Sequence, residues 1–154
     1  MRTGSVVDAH EGHPIARARV AIFSAHGQIA ETTSDERGEF QLDPGAAPQD
    51  WQLRVEGTWH APLERPLPPP GRLSIALITR RRSLLTDLVG WAKRRGPPFA
   101  RDREATPGEV RSAAQESAEP GLARWATAVE SAAFGPSPVD ADREAEVRAR
   151  EPHG

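Results

Sequence analysis

The first half of the chain alternates apolar and polar residues, and this period of two constrains its fold more than any other feature. The apolar positions are Ala18, Val20 and Ile22, then Phe40 and Leu42, then Trp51, Leu53 and Val55, then Leu73, Ile75 and Leu77. Alternation is typical of strands that bury one face, whereas an amphipathic helix repeats every 3.6 residues. With segments 4–9, 28–33 and 59–63, it predicts seven strands in residues 1–79. We expect a mainly β fold, a seven-stranded antiparallel β-sandwich followed by short α-helices.

Turn residues separate the predicted strands. Residues 35–38 (Asp-Glu-Arg-Gly) place Asp at the first and Gly at the last position of a type I turn between the third and fourth strands. Segments 43–45 and 68–71 contain proline, which cannot donate a ladder hydrogen bond, and therefore end strands.

Three segments in this half resemble a known family. Residues 4–8 (Gly-Ser-Val-Val-Asp), 12–20 (Gly-His-Pro-Ile-Ala-Arg-Ala-Arg-Val) and 33–40 (Thr-Ser-Asp-Glu-Arg-Gly-Glu-Phe) are similar to the carboxypeptidase regulatory-like domain. The resemblance covers residues 4–79 and implies a transthyretin-like, carbohydrate-binding-like β-sandwich that is the non-catalytic partner of an enzyme. Arg17 stands where that family usually has glycine.

A basic segment follows the sandwich. Residues 80–103 carry 8 basic and 2 acidic side chains, whereas the segments before and after it have net charges of −3 and −5. Between the cationic runs 80–82 and 93–95, apolar residues recur at helical spacing. The side chains expected to face a partner or a membrane are Arg81, Arg82, Leu84, Leu85, Leu88, Trp91, Arg94 and Arg95.

The basic segment has three interpretations. The leading one is a helix docked against the chain's own sandwich or against another protein. The second is an interfacial helix on an anionic membrane surface, since the 83–94 segment is too short to span a bilayer, which takes about 20 residues. Nucleic acid is not expected as a partner, because both flanking segments are acidic.

The last segment predicts short helices with few large apolar residues. Thr106-Pro107-Gly108-Glu109 has the form of a capping box, Gly135-Pro136 ends a second helix, and Asp140 can cap a third. Leu, Ile, Val and Phe make up 11 of the 75 residues after Thr79, about 15%, below the roughly 20% typical of folded chains. We therefore expect three parts: the sandwich at 1–79, the basic helix and a Pro-rich linker at 80–103, and a partly disordered helical tail at 104–154.

This tail resembles the uncharacterised C-terminal domain of bacterial membrane proteins that carry a transglutaminase-like domain. The resemblance rests on residues 80–95, on the Thr-Pro-x-Glu segment at 106–109 and on residues 125–136. It implies no transglutaminase chemistry here, because the chain has no cysteine and that nucleophile is a thiolate.

Histidines near residue 10 invite a test for a metal site. A zinc metalloprotease motif needs two histidines four residues apart on a helix, but His10 and His13 are three apart in a predicted turn beside Asp8. Structural zinc usually has four protein ligands, and the remaining histidines are not spaced so as to provide the missing ones. The sequence therefore predicts no metal and no cofactor.

Carbohydrate binding depends on an exposed aromatic ring. Trp51 shares the parity of Leu53 and Val55 and is expected in the core, whereas Trp59 lies on a Pro-interrupted strand. The candidate glycan-binding residues are Trp59 and His60.

Together these features favour a non-catalytic β-sandwich that mediates protein–protein or scaffold contacts, with a tail that docks to a partner or to a membrane-associated complex. A carbohydrate-binding module and peripheral membrane attachment are the alternatives, with an unidentified protein, a polysaccharide or an anionic membrane as the respective partner. As written, Met1-Arg2 leads directly into a strand without a signal sequence, so a cytoplasmic protein is expected. The alternative is a fragment of an extracytoplasmic or membrane-associated protein.

Overall fold

The computed structural model describes residues 2–45, 50–100 and 103–152. The chain divides into two units, Met1–Ile78 and Thr79–Gly154. The strands are β1 (Arg2–Asp8), β2 (Arg19–Ser24), β3 (Gly27–Thr33), β4 (Glu39–Leu42), β5 (Gln52–Glu56), β6 (Leu63–Pro66) and β7 (Arg72–Leu77). The helices are α1 (Arg80–Arg95), α2 (Pro107–Glu116), α3 (Pro120–Phe134) and α4 (Ala141–Arg148).

The seven strands form two sheets that enclose one apolar core. One sheet has the order β4-β1-β7 and the other the order β3-β2-β5-β6. The predicted alternation is confirmed, because every second residue of β4, β5 and β7 is buried. Side chains of both sheets meet in this core: Val6, Ile15, Ala18, Val20, Ile22, Phe40, Leu42, Leu53, Val55, Leu73, Ile75 and Leu77.

The expectation of an entirely antiparallel sandwich is wrong at one pair of strands. β1 and β7 run parallel, with Thr3 opposite Arg72 and Asp8 opposite Leu77. The other strand pairs are antiparallel. Alternation reports which side chains are buried but carries no information on the direction of the neighbouring strand, so the sequence pattern could not distinguish the two arrangements.

Arg17 and Gly38 both have a positive φ, and this explains the preference for glycine at each position. The predicted turn at 35–38 is present, since the Gly38 N–H donates to the Asp35 carbonyl over 2.9 Å. Gly38 has φ of +75°, and a Cβ there would lie 2.5 Å from the Val6 carbonyl oxygen. Arg17 has φ of +59°, which explains why glycine, with no Cβ penalty in this region, is usual there in the resembled family.

The helical unit has a separate apolar core. Its buried members come from all four helices and their connections: Leu84, Leu88, Trp91, Ala92, Phe99, Ala105, Val110, Ala113, Ala114, Leu122, Trp125, Ala126, Val129, Ala132, Val139 and Val147. The rings of Trp91 and Trp125 meet edge to face, with centroids 5.7 Å apart.

A shared core was not expected, because the sequence suggested a basic helix with a linker at 80–103 and a separate, partly disordered helical tail at 104–154. The basic helix α1 contacts α3 and α4, so the segments 80–103 and 104–154 share one unit. Alanine explains the difference, because six of the sixteen buried core residues are alanines and alanine is absent from the count of large apolar residues that suggested disorder.

Helix caps follow the sequence signals. The Thr106 hydroxyl accepts the Glu109 N–H, and Pro107 occupies the first turn of α2. The Asp140 carboxylate accepts the Arg143 N–H at the start of α4. The Glu109 side chain does not return to the cap amide as expected. It accepts the Thr106 hydroxyl over 3.2 Å and pairs with Arg103.

Candidate functional site

Two histidines and an aspartate meet at one end of the sandwich. Asp8 is the last residue of β1, His13 lies in the loop that follows, and His60 lies between β5 and β6. The loop is held tightly, because Asp8 Oδ1 accepts the backbone N–H groups of His10 and Glu11, each over 2.8 Å. The two ends of the loop are joined by the Asp8 N–H, which donates to the His13 carbonyl over 2.8 Å.

Asp8 and His60 form a buried polar pair. The distance from Asp8 Oδ2 to His60 Nε2 is 2.7 Å, and the two residues are only 3% and 7% exposed. Both carboxylate oxygens of Asp8 are therefore hydrogen-bonded, one to backbone and one to an imidazole. A carboxylate satisfied in this way tolerates burial.

The same contacts lower the pKa of Asp8. Burial by itself raises the pKa of this carboxyl group, but the Glu11 N–H, the His60 ring and the His10 N–H together outweigh it. The pKa falls from 3.8 to about 2. Asp8 is consequently ionised across the physiological range, and His60 Nε2 is the donor in their hydrogen bond.

His13 completes the cluster from the solvent side. Its side chain is 51% exposed, and its Nδ1 lies 3.2 Å from a carboxylate oxygen of Glu11. One ligand atom each of Asp8, His13 and His60 lies within 4.8 Å of the others. Imidazole nitrogens and carboxylate oxygens are zinc ligands in proteins, so these three are the described residues that could hold a metal.

The sequence could not reveal this set. His60 lies 52 residues after Asp8, and no short motif links residues that far apart. His10 and His13 are close in the sequence, but His10 is exposed and is absent from the cluster. The pairing of β1 with β7 and of β5 with β6 positions His60 instead.

Trp59 is exposed at this same end of the sandwich. Its exposed fraction is 45%, and that of Ile78 is 37%. The Ala61 N–H donates to the Ile78 carbonyl over 2.9 Å, which ties the segment after Trp59 to the end of β7. The exposure agrees with the expected orientation of Trp59, and Trp51 packs partly buried against the sandwich core.

His60, the second candidate glycan-binding residue, is buried. Its ring is buried against Asp8 and does not join Trp59 on the surface. An aromatic platform at this end consequently rests on Trp59 alone among the residues predicted for it.

The apolar residues predicted on the basic helix face inward. Leu84, Leu88 and Trp91 belong to the core of the helical unit, and Leu85 packs partly buried against it. The expectation that this stripe meets the sandwich, a membrane or another protein is thus corrected. The stripe faces inward because α2 and α3 supply apolar side chains to the same core.

Two of the four predicted arginines make structural contacts in the helical unit. Arg81 donates to the Ser137 carbonyl over 2.6 Å, beyond the end of α3. Arg95 lies over the Phe99 ring at 4.9 Å and pairs with Glu119 at 2.9 Å. Arg82 and Arg94 are exposed on α1.

No helix in the described ranges combines the length and the apolar character needed to cross a bilayer.

Comparisons with known proteins concern the sandwich. The family model of the carboxypeptidase regulatory-like domain matches residues 3–77. The structure of 5-hydroxyisourate hydrolase from Klebsiella pneumoniae is 12% identical with a TM-score of 0.41, covering 51% of this chain and 89% of that one. Transthyretin from Sparus aurata is 18% identical with a TM-score of 0.32, covering 51% and 90%. No curated protein matches the sequence.

The family match runs from Thr3 in β1 to the end of β7, so it includes strands of both sheets together with Asp8, His13 and His60. Over residues 3–77 the chain is therefore similar to the carboxypeptidase regulatory-like domain.

Proposed function

We propose that the chain is a non-catalytic binding module whose sandwich contacts another protein through the end that carries Trp59 and Ile78. The observation that supports this proposal most directly is the exposure of Trp59, 45% of a large aromatic side chain. Most large apolar side chains in the described part of the chain are buried in one of the two cores.

The chemistry of Trp59 suits a protein contact. Tryptophan is enriched among the residues that contribute most to binding energy, because one rigid side chain buries a large area and retains a hydrogen-bond donor. Ile78, 37% exposed, adds an aliphatic surface to the same end. The backbone beneath is fixed by bonds from Gly57 N–H to the His60 carbonyl and from Ala61 N–H to the Ile78 carbonyl, which limits the entropy lost on binding.

The hydrogen bonds of Asp8 support a non-catalytic role for the adjacent cluster. A general base must accept a proton readily near neutral pH, whereas Asp8 has a pKa of about 2. Its two oxygens already accept from His10, Glu11 and His60. The pair thus has the properties of a structural contact that fixes the loop.

For the helical unit, we propose attachment to a partner through its outer surface and not through the apolar stripe of α1. Leu88 and Trp91 fill the core, so a membrane could reach them only after the unit opens. Phe134, at the end of α3, is 68% exposed and is a candidate anchor on the outer surface.

Site-specific photocrosslinking tests the sandwich proposal. A photoreactive phenylalanine analogue replaces Trp59 in one variant and Ile29 in a matched control, since Ile29 is 37% exposed on β3. The proposal predicts a discrete crosslinked protein for position 59 that is absent for position 29. The same products from both positions, or none from position 59, would contradict it.

The carbohydrate-binding alternative is favoured by the same exposed ring and needs its own test. Affinity electrophoresis through gels containing bacterial polysaccharides compares the wild-type chain with Trp59→Ala. Under the protein-binding proposal the two migrate alike in every gel. Retardation of the wild type that Trp59→Ala abolishes would establish the glycan-binding module in its place.

A further inference from the structure

We propose that Asp8, His13 and His60 form a binding site for one divalent transition-metal ion of the zinc class. The three side chains come from the end of β1, from the loop after it and from the segment between β5 and β6, and their ligand atoms lie within 4.8 Å of one another. Two are buried in the fold and one is exposed, so the site combines fixed ligands with an open side.

The donor set selects the class of ion. Two imidazoles and one carboxylate suit zinc, cobalt or nickel, whereas calcium and magnesium prefer a shell of oxygens. Three protein ligands leave a fourth position for water on the side of His13, which is half exposed. Glu11 could occupy that position, because its carboxylate already lies 3.2 Å from His13 Nδ1.

Metal binding requires the Asp8–His60 edge to open and His13 to move inward, since the ligand atoms lie within 4.8 Å of one another. Zinc–ligand bonds of about 2.0–2.2 Å place neighbouring ligand atoms about 3.3 Å apart around a tetrahedral ion. Asp8 Oδ2 and His60 Nε2 are 2.7 Å apart, so this edge must open by roughly half an ångström as the ion replaces the shared proton. The exposed ring of His13 then closes from the solvent side.

The surroundings of Asp8 resemble the support that metal-binding carboxylates receive. Outer hydrogen bonds orient such ligands and contribute to affinity. Here Asp8 Oδ1 accepts from the backbone of His10 and Glu11 over 2.8 Å each, which leaves Oδ2 directed at His60. The carboxylate is therefore fixed before any ion arrives.

Calorimetric titration of the full-length chain with ZnCl₂ tests the proposal. The variant is His13→Gln, because this exposed side chain is outside both apolar cores and its replacement leaves the fold intact. His26→Gln is the matched control, since His26 is exposed in the turn between β2 and β3. We expect one zinc ion per chain, affinity at least about tenfold weaker in His13→Gln, and no change in His26→Gln.

Nuclear magnetic resonance supplies a second measurement. Zinc should shift the ring protons of His13 and His60 and leave those of His26 in place. Equal affinity of His13→Gln and the wild type, or an absence of binding to the wild type, would overturn the proposal. The test is independent of the proposed protein contact, because Trp59→Ala retains all three ligands and should bind zinc like the wild type.

Discussion

At the scale of single residues, Asp8 organises the end of the sandwich. One oxygen of its carboxylate fixes the loop after β1 through His10 and Glu11, and the other holds the buried ring of His60. Because Trp59 directly precedes His60, the carboxylate that holds His60 also helps to position the exposed indole of Trp59. A change at Asp8 therefore affects the stability of the fold and the placement of the proposed contact site.

The pKa of Asp8 predicts how stability depends on pH. Since its pKa is about 2 in the folded chain against 3.8 otherwise, ionised Asp8 stabilises the fold above about pH 4, and this contribution is lost as the pH falls towards 2. The contribution is on the order of 2 kcal/mol. Urea unfolding from pH 7 to pH 2, with a chelator present, should show this loss in the wild type.

Asp8→Asn is the control, because it keeps the size of the side chain but cannot ionise. Its free energy of unfolding should lack this part of the pH dependence. Parallel pH profiles for wild type and variant would show that Asp8 has an ordinary pKa and that the contacts with His60 and the loop do not favour its ionised form.

At the scale of elements, α1, α2 and α4 each begin at a residue whose side chain caps the helix, and for α2 and α4 the cap was predicted from the sequence. Thr106 and Asp140 each accept a backbone N–H three residues ahead, and Thr79 caps α1 in the same way. These signals lie within four consecutive residues, so they can be recognised without knowing what packs against the helix.

Replacing Thr106 should destabilise the helical unit. In Thr106→Ala the N–H of Glu109 loses its acceptor, and the expected cost is about 1 kcal/mol of unfolding free energy. Thr106→Ser keeps the hydroxyl and should remain close to the wild type. Urea unfolding followed by tryptophan fluorescence measures both variants, and equal stability of the Ala and Ser variants would refute the assigned cap.

A buried ion pair connects α1 to α4. Arg80 Nη1 lies 2.9 Å from Glu144 Oε1, with side chains only 5% and 8% exposed, and Arg148 contacts the other oxygen of Glu144 at 3.2 Å. The sequence patterns that predict α1 and α4 do not indicate this contact, because Arg80 and Glu144 are 64 positions apart.

Removing the charge of Glu144 should destabilise the helical unit. Glu144→Gln neutralises a carboxylate that contacts both Arg80 and Arg148, with an expected loss of about 3 kcal/mol because the contact with Arg80 is buried. The exposed pair Arg95–Glu119 is the control, where Glu119→Gln should cost less than about 1 kcal/mol. Equal costs for Glu144→Gln and Glu119→Gln in thermal unfolding would contradict the assignment.

At the scale of the whole molecule, the sequence predicts the sandwich better than it predicts the helical unit. Alternation along β4, β5 and β7 and the turn ending at Gly38 are local signals, and both are confirmed. The parallel pairing of β1 with β7 and the meeting of Asp8 with His60 depend on contacts between distant segments, which no periodicity records.

The helical core was missed for a different reason. Six of its sixteen buried members are alanines, among them Ala113, Ala114 and Ala126, and two more are the tryptophans Trp91 and Trp125. Alanine lets helices approach closely but adds nothing to a count of Leu, Ile, Val and Phe. Low content of those four residues therefore indicates disorder less reliably in an alanine-rich helical segment than in a strand.

The chain consists of two units, each with its own apolar core. The sharpest test is thermal unfolding of the isolated segment 79–154, followed by fluorescence of its two tryptophans, Trp91 and Trp125. We expect one cooperative transition, with an enthalpy of about 50 kcal/mol near 60 °C for a unit of this size. A gradual change without a transition, with both tryptophans emitting as in an unfolded chain at low temperature, would contradict it.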